Sequence, residues 1–455
     1  MRRACKFYVN TCRRIFTNSC LMSSGPRPYS DSNAKTLPRR SLKMNHSHCP
    51  AQTLSKLSTR VRNDSLFRKT YLAVAMLAGC GFSGMAWSAE AQGENAQPVT
   101  QAVTQPAVAP RIQVAILLDT SSSMDGLINQ TRNQLWKMVD EFSKAKKNGV
   151  TPILEVAVYE YGNNGLSSQN GYIRQVTGLT RELDRVSEAL FSLTTNGGDE
   201  FCGYVINASV KELQWSQSPN DIRAIFIAGN EPFTQGPVSF REAIALAKQK
   251  DITVNTIFAG AYNDGGESGW RQGAQLAGGN YMSIDQDQQI AQIEAPQDKE
   301  IAALNARLNE TYVPYGAGGA AASKRQYEQD ANSQNVSLGL LAQRAKSKAS
   351  VAYDNSSWDL VDAYEAGEVA LEEVDAKALP EPMVGMSQKE KEEYIETKKT
   401  ERKELQDKIK ALSDEREVYI AEENRKAAKS GANTVDEALI SAIRKQGEQK
   451  AFEFK

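Results

Sequence analysis

The chain has 455 residues, with 54 Lys and Arg against 55 Asp and Glu. That length suits two or three domains, but the charge is unevenly shared: residues 1–69 hold fifteen basic residues and two acids, Asp31 and Asp64, leaving 39 basic and 53 acidic residues beyond them. An acidic body argues against nonspecific nucleic-acid binding; and with His46 and His48 both in the leader and only Cys202 in the body, it excludes a Ser-His-Asp or Cys-His catalytic set, a disulfide framework and a cysteine-rich zinc site.

Residues 1–63 are basic, polar and irregular. They read either as a mitochondrial-type presequence or, preferably, as an extension upstream of the natural start, because a more familiar signal begins later. Arg68 and Lys69 precede the short apolar run Tyr71 to Leu77, which predicts a secretory signal too short to span a bilayer. Two processing routes stand open. Leu77-Ala78-Gly79-Cys80 resembles a lipobox, which makes Cys80 a lipidated first residue; Ala89-Glu90-Ala91 fits ordinary cleavage. Either route exports the body to the periplasm or to association with the outer membrane. Residues 1–91 are thus leader and signal, and residues 92–110, with Pro98, Pro106 and Pro110 and no periodicity, a flexible tether.

From residue 111 the pattern changes. Val114 to Leu118 is a continuous apolar run, as expected of a parallel strand covered on both faces. Asp119 ends it and Ser121, Ser122 and Ser123 follow. Leu127, Ile128, Leu135, Met138, Val139 and Phe142 then recur at helical spacing, predicting a helix that ends near Asn148-Gly149. Further strands are predicted at 153–161, 172–175, 223–228, 252–259 and 280–284, alternating with helices at 183–193, 201–213, 239–250 and 267–277. Such alternation implies an α/β domain over about 111–300, doubly wound, with a mainly parallel sheet and helices on both faces. Ligands of open α/β sheets sit at the carboxyl ends of the strands. There, Asp119 and the hydroxyls after it offer hard oxygen donors suited to magnesium, manganese or calcium. The plainer alternative is an Asp and Ser cap on the following helix.

Asp119-x-Ser121-x-Ser123, after an apolar strand and before an amphipathic helix, resembles the metal-ion-dependent adhesion site of von Willebrand factor A domains. The resemblance implies that Ser121 and Ser123 bind a divalent cation directly and that Asp119 acts partly through water. It also implies a Thr in a T-x-x-G turn, for which Thr195-Asn-Gly-Gly198 fits, with Thr194 as the neighbouring option. A third loop departs from the pattern: the family's usual Asp after the strand is Gly229, in Ala228-Gly229-Asn230-Glu231-Pro232. Asp199 and Glu231 are the candidate compensating carboxylates. Cys202, just inside a helix, is read as buried and inert. The segments TTNGGDEFCG and AGNEPF are similar to a group of exported bacterial proteins of unassigned activity.

Residues 301–455 form a helical C-terminal region by the same reading. Ile301, Leu304 and Leu308 predict one helix, Gly316 to Ala322 a small-residue linker, and Lys324 to Ala349 another helix. Trp358 to Asp362 is the one compact apolar stretch, expected to dock on the first domain. Ser387 and Glu390 fit a capping box opening a Lys- and Glu-rich helix. Leu405, Ile409, Leu412 and Tyr419 cover barely two heptads, so an intramolecular hairpin closed by Ala438, Leu439, Ala442 and Ile443 is favoured over a coiled-coil oligomer.

These features make the expected protein a monomeric, non-enzymatic binding module of the cell envelope. Its divalent cation is completed by a carboxylate from a protein partner, and its only membrane contact is through a lipid anchor. The competing reading is an assembly or stress-response factor working with an ATPase, which export disfavours.

Overall fold

The computed structural model describes residues 109–284, 293–427 and 435–454. Cys80, the signal, both cleavage options and nearly all of the tether lie outside the described residues.

Strand β1 (Arg111–Asp119) is the centre of a six-stranded sheet. On one side lie β3 (Ile153–Tyr161) and β4 (Ile173–Thr180); on the other, β5 (Ile222–Gly229), β6 (Thr253–Ala259) and β7 (Tyr281–Ile284), in the order β4-β3-β1-β5-β6-β7. Only β4, on the edge, runs antiparallel; it is longer than its sequence signal. The central strand's near-continuous burial follows from cover on both faces. Alternation assigns Ile112, Val114, Ile116 and Leu118 to one core and Ala115 and Leu117 to the other. Register then brings three strand ends together: Asp119 lies opposite Tyr161, and Leu118 opposite Ala228, the residue before Gly229.

The first core is covered by α1 (Asp125–Ser143) and α2 (Leu183–Ser192), the second by α3 (Cys202–Glu212), α4 (Phe240–Gln249) and α6 (Trp270–Ala277), which the short α5 (Asp264–Glu267) precedes. Helix α1 stops earlier than its apolar spacing predicts. Ala145–Lys146 leaves it as β2, paired with β8 (Glu453–Phe454) near the carboxyl terminus, and Asn148 and Gly149 turn with positive φ.

The tail runs as α7 (Asp298–Asn309), α8 (Gly316–Val336), α9 (Leu338–Lys348), α10 (Leu360–Glu365), α11 (Gln388–Ala427) and α12 (Val435–Gln449). The expected linker at Gly316 to Ala322 is instead the start of α8. Its alanines are the strongest helix formers, and Ala322 is buried in the core. The expected helix over Lys324 to Ala349 is two, broken at Ser337, whose backbone is extended and whose Oγ accepts the Leu340 N–H at 3.0 Å. The capping box is present: the Ser387 N–H donates to Glu390 Oε2 at 2.7 Å. Leu405 and Ile409 are buried in the main core, where α11 packs on α7 and α9, while α12, with Ala442 and Ile443 buried, packs on α1 and β7. Each helix thus docks on the body, and Ile440 and Arg444 of α12 also line a pocket with Ile420 and Ala421 of α11; the Ala438 and Leu439 side chains, expected to close the hairpin, lie outside the described residues. Trp358 joins the main core, stacked on Tyr312, whereas Leu360 and Val361 belong to a smaller core with Met383 and Ile395. No described helix is long and apolar enough to cross a membrane.

Candidate metal centre

The turn after β1 is not spent on capping α1. The residue at the helix N-cap is Met124, and no side chain bonds there. Asp119 Oδ1 accepts the Ser121 N–H at 2.7 Å, folding the turn back on the strand end, and the Met124 N–H donates to Ser121 O at 3.1 Å. This leaves the Ser121 and Ser123 hydroxyls 3.5 Å apart at the carboxyl edge of the sheet, Ser121 buried and Ser123 exposed. Asn230 Nδ2 donates to Ser123 Oγ at 3.1 Å from the loop after β5.

The loop between α2 and α3 closes over the same turn: the Asn196 N–H donates to Thr120 O at 3.0 Å. Thr195 is half-buried, and its hydroxyl donates to Asp125 Oδ1 at 2.7 Å, in the first turn of α1. Thr195 is thus brought to the start of α1, beside the turn that carries Ser121 and Ser123, and Asp125 there is a carboxylate that the sequence analysis did not single out. Thr194 is turned to other work, its carbonyl accepting from Asn163 Nδ2 at 2.9 Å.

The carboxylate that faces Asp119 is neither Asp199 nor Glu231, both of which are exposed; it is Glu200, buried one residue after Asp199. Asp119 and Glu200 converge on Gly162, where φ is +80° and a Cβ would lie 2.7 Å from Glu200 Cγ and 2.8 Å from Asp119 Oδ1. A side chain there would be strained by its backbone and would collide with both acids. Burial pushes the Asp119 carboxyl up to about 6. Burial, and then the Asp119 charge, push Glu200 up to about 9. Asp119 Oδ2, Glu200 Oε2 and Asn230 Oδ1 are all shielded from solvent without a hydrogen-bond partner. Two ionised carboxylates are both acceptors and cannot satisfy each other; a proton or a cation between them can.

Gly229 is enclosed. A Cβ at this position would lie inside van der Waals contact of Tyr161 Oη and 3.0 Å from Asp119 Oδ2. Tyr161 is fully buried and donates to Ala228 O at 3.0 Å, so its phenol fills the space that a side chain at 229 would need. Cys202 Sγ lies 3.7 Å from the same hydroxyl, and burial holds its thiol well above the ordinary range, so it is inert as a nucleophile.

Among the described residues no three His, Cys, Asp or Glu side chains are grouped to hold an ion by themselves. Any cation here must take hydroxyls as well as carboxylates. The donor set is all oxygen, matching the preference of hard divalent ions, and the unpartnered Asp119 and Glu200 oxygens supply the negative charge such an ion needs.

No family model matches the sequence, and no curated protein matches it. Among solved structures it is similar to the conserved hypothetical protein BatB from Bacteroides thetaiotaomicron, at 16% identity over 38% of this chain and 90% of that one, with a TM-score of 0.30. It is similar to the SpRpn10 VWA domain at 15% identity, over 40% of this chain and 92% of that one, with a TM-score of 0.30. Proximal thread matrix protein 1 from the mussel byssus, in a form with zinc occupying its MIDAS motif, matches at 13% identity over 40% of this chain and 43% of that one, with a TM-score of 0.30. In this chain itself, a central β1, a single antiparallel edge strand and a serine turn at the carboxyl edge of the sheet make residues 111–284 a von Willebrand factor A-like domain.

Proposed function

We propose that this chain is an exported, non-enzymatic interaction protein that holds a divalent cation at Ser121, Ser123 and Thr195 and uses it to bind a carboxylate of a protein partner. Asp119 and Glu200 would balance the ion's charge from the buried side. The cation supplies a Lewis-acidic position that an incoming carboxylate completes. The supporting observation is the set of unpartnered buried oxygens, Asp119 Oδ2 and Glu200 Oε2, behind two serine hydroxyls that cap no helix. Neutral hydroxyls dominate the donor set, so affinity for the ion alone should be weak, with dissociation constants on the order of 10⁻⁴ to 10⁻³ M, as for extracellular calcium modules. Cation and ligand must raise each other's affinity by the same factor.

Calorimetry with magnesium and manganese on the full chain tests this. Wild type should bind one ion, and the double variant Asp119→Ala with Ser121→Ala should bind none while keeping its circular dichroism spectrum. Equal heats from the two proteins, or no binding by wild type, would show that the turn carries no metal function.

A further inference from the structure

Beside the proposed metal crevice lies an open cleft of about 760 Å³ between the loop after β5 and the start of α6. Two arginines face it, Arg271 and Arg241, and neither forms an ion pair with a carboxylate among the described residues, although Glu267 lines the same cleft. Arg271 is half-buried, with its guanidinium 4.8 Å from the Tyr262 ring centroid and 5.2 Å from that of Tyr281. Its Nη2 donates to Tyr262 O at 3.1 Å, while its Nε is shielded from solvent without a partner. Arg241 lies 4.5 Å over the Phe240 ring and donates to Gln272 Oε1 at 2.6 Å. Tyr262 is 57% exposed at the edge of this group.

Ring contacts and one hydrogen bond each hold both guanidiniums at the cleft. A guanidinium can meet a carboxylate with two N–H groups at once, which a lysine ammonium does not match. The cleft is tied to the metal crevice by one short loop. Asn230 bonds Ser123, the next carbonyl, that of Glu231, accepts from Trp270 Nε1 at 2.8 Å, and Arg271 follows Trp270.

We propose that Arg271 and Arg241 form a second carboxylate-binding site beside the crevice, so that the partner is an acidic peptide segment presenting at least two carboxylates, one for each site. The arginine site stands without the cation; only the division of labour between the two sites rests on the function proposed above.

The test uses the full chain and a synthetic hexaglutamate peptide at low ionic strength, first with chelator and then with magnesium. In chelator, wild type should bind the peptide. Arg271→Gln and Arg241→Gln should each weaken binding by about tenfold, Arg271→Lys should restore part of the loss, and Lys389→Gln on α11, a distant exposed cation, should change nothing. Magnesium should tighten wild-type binding, and Ser121→Ala should remove that gain while leaving the arginine-dependent binding intact. No peptide binding in chelator, unchanged binding by both glutamine variants, or an equal loss in Lys389→Gln would overturn the proposal. Arginine-dependent binding that magnesium does not improve would leave it standing and count against the metal reading.

Discussion

Position 229 shows how one residue sets the character of the crevice. An Asp placed there would push its Cβ into Tyr161 Oη and its carboxylate against Asp119. Overpacking of this kind costs about 1–3 kcal/mol, and a third buried acid adds repulsion. Gly229→Asp alone should therefore lower the urea midpoint of the metal-free protein. Tyr161→Phe removes the obstructing oxygen but not the repulsion, so the double variant should recover part of the loss and, with its extra charge, bind magnesium more tightly than wild type. A Gly229→Asp protein as stable as wild type would refute this account. Asp119, Ser121 and Ser123 were legible as a group because they share one turn at a strand end, where sequence distance and spatial distance agree; Thr195, far away in the chain, was named only through the resemblance. Glu200 was not. Its neighbour Asp199 has the same charge, and only the backbone path after the Thr195 turn decides which of the two points inward. Asp125 was missed because its sequence position suggests nothing more than a favourable acid in a helix's first turn.

Between elements, buried ion clusters join the α/β domain to the tail. Arg344 and Lys348 of α9 are fully buried. Arg344 reaches Asp184 of α2 at 2.7 Å and Asp330 of α8 at 2.6 Å, and Lys348 reaches Asp330 at 3.1 Å. Asn305 and Asn309 each donate to Asp330 at 2.7 Å. Two cations balance two anions. Burial opposes ionisation of Asp330, but Lys348 and Arg344 outweigh it and hold its carboxyl far below the usual range. Arg344→Ala leaves two buried carboxylates with one cation and should cost about 3–5 kcal/mol in urea unfolding; a loss under about 1 kcal/mol, the range of an exposed pair, would show the cluster to be wet. The second cluster is unbalanced. Arg402 of α11 meets Asp359 at 2.7 Å and Asp362 of α10 at 2.5 Å, one cation for two acids. Burial, with Asp359 adding to it and Arg402 opposing, pushes Asp362 up to about 7 from an ordinary 3.8. Between those values the folded chain holds a proton that the unfolded chain has released. This contribution to stability is full below about pH 4 and is lost as pH rises through about 7. Asp362→Asn, which cannot ionise, should thus gain on wild type as urea midpoints are compared at pH 4.5, 6 and 7.5; a constant difference would refute the shift.

Across the whole molecule, the α/β half was readable because its strands are apolar runs and its helices alternate with them, a pattern set by local sequence. The tail was readable only as helix. The Lys- and Glu-rich face of α11 gives no sign that Leu405 and Ile409 dock on α7 and α9, and nothing local separates the Gly316 to Ala322 helix start from a linker. What the tail does for the domain is nevertheless visible in the packing. Trp136 of α1 is 1% exposed because Arg344 lies 4.8 Å over its ring and Ser347 bonds its carbonyl at 3.3 Å. Leu340, Ala342 and Ala345 of α9 and Ile443 of α12 belong to the same core as Leu135, Val139 and Val186. Removing residues 311–455 would uncover that face, and a large exposed apolar patch promotes association. The fragment 109–310 should keep a mixed α/β circular dichroism spectrum, since the sheet and both of its flanking helix layers remain. It should also bind a hydrophobic dye, elute as oligomers and unfold at lower urea than the full chain. A monomeric fragment with the full chain's urea midpoint would mean that the tail is a separate domain that merely rests on the first.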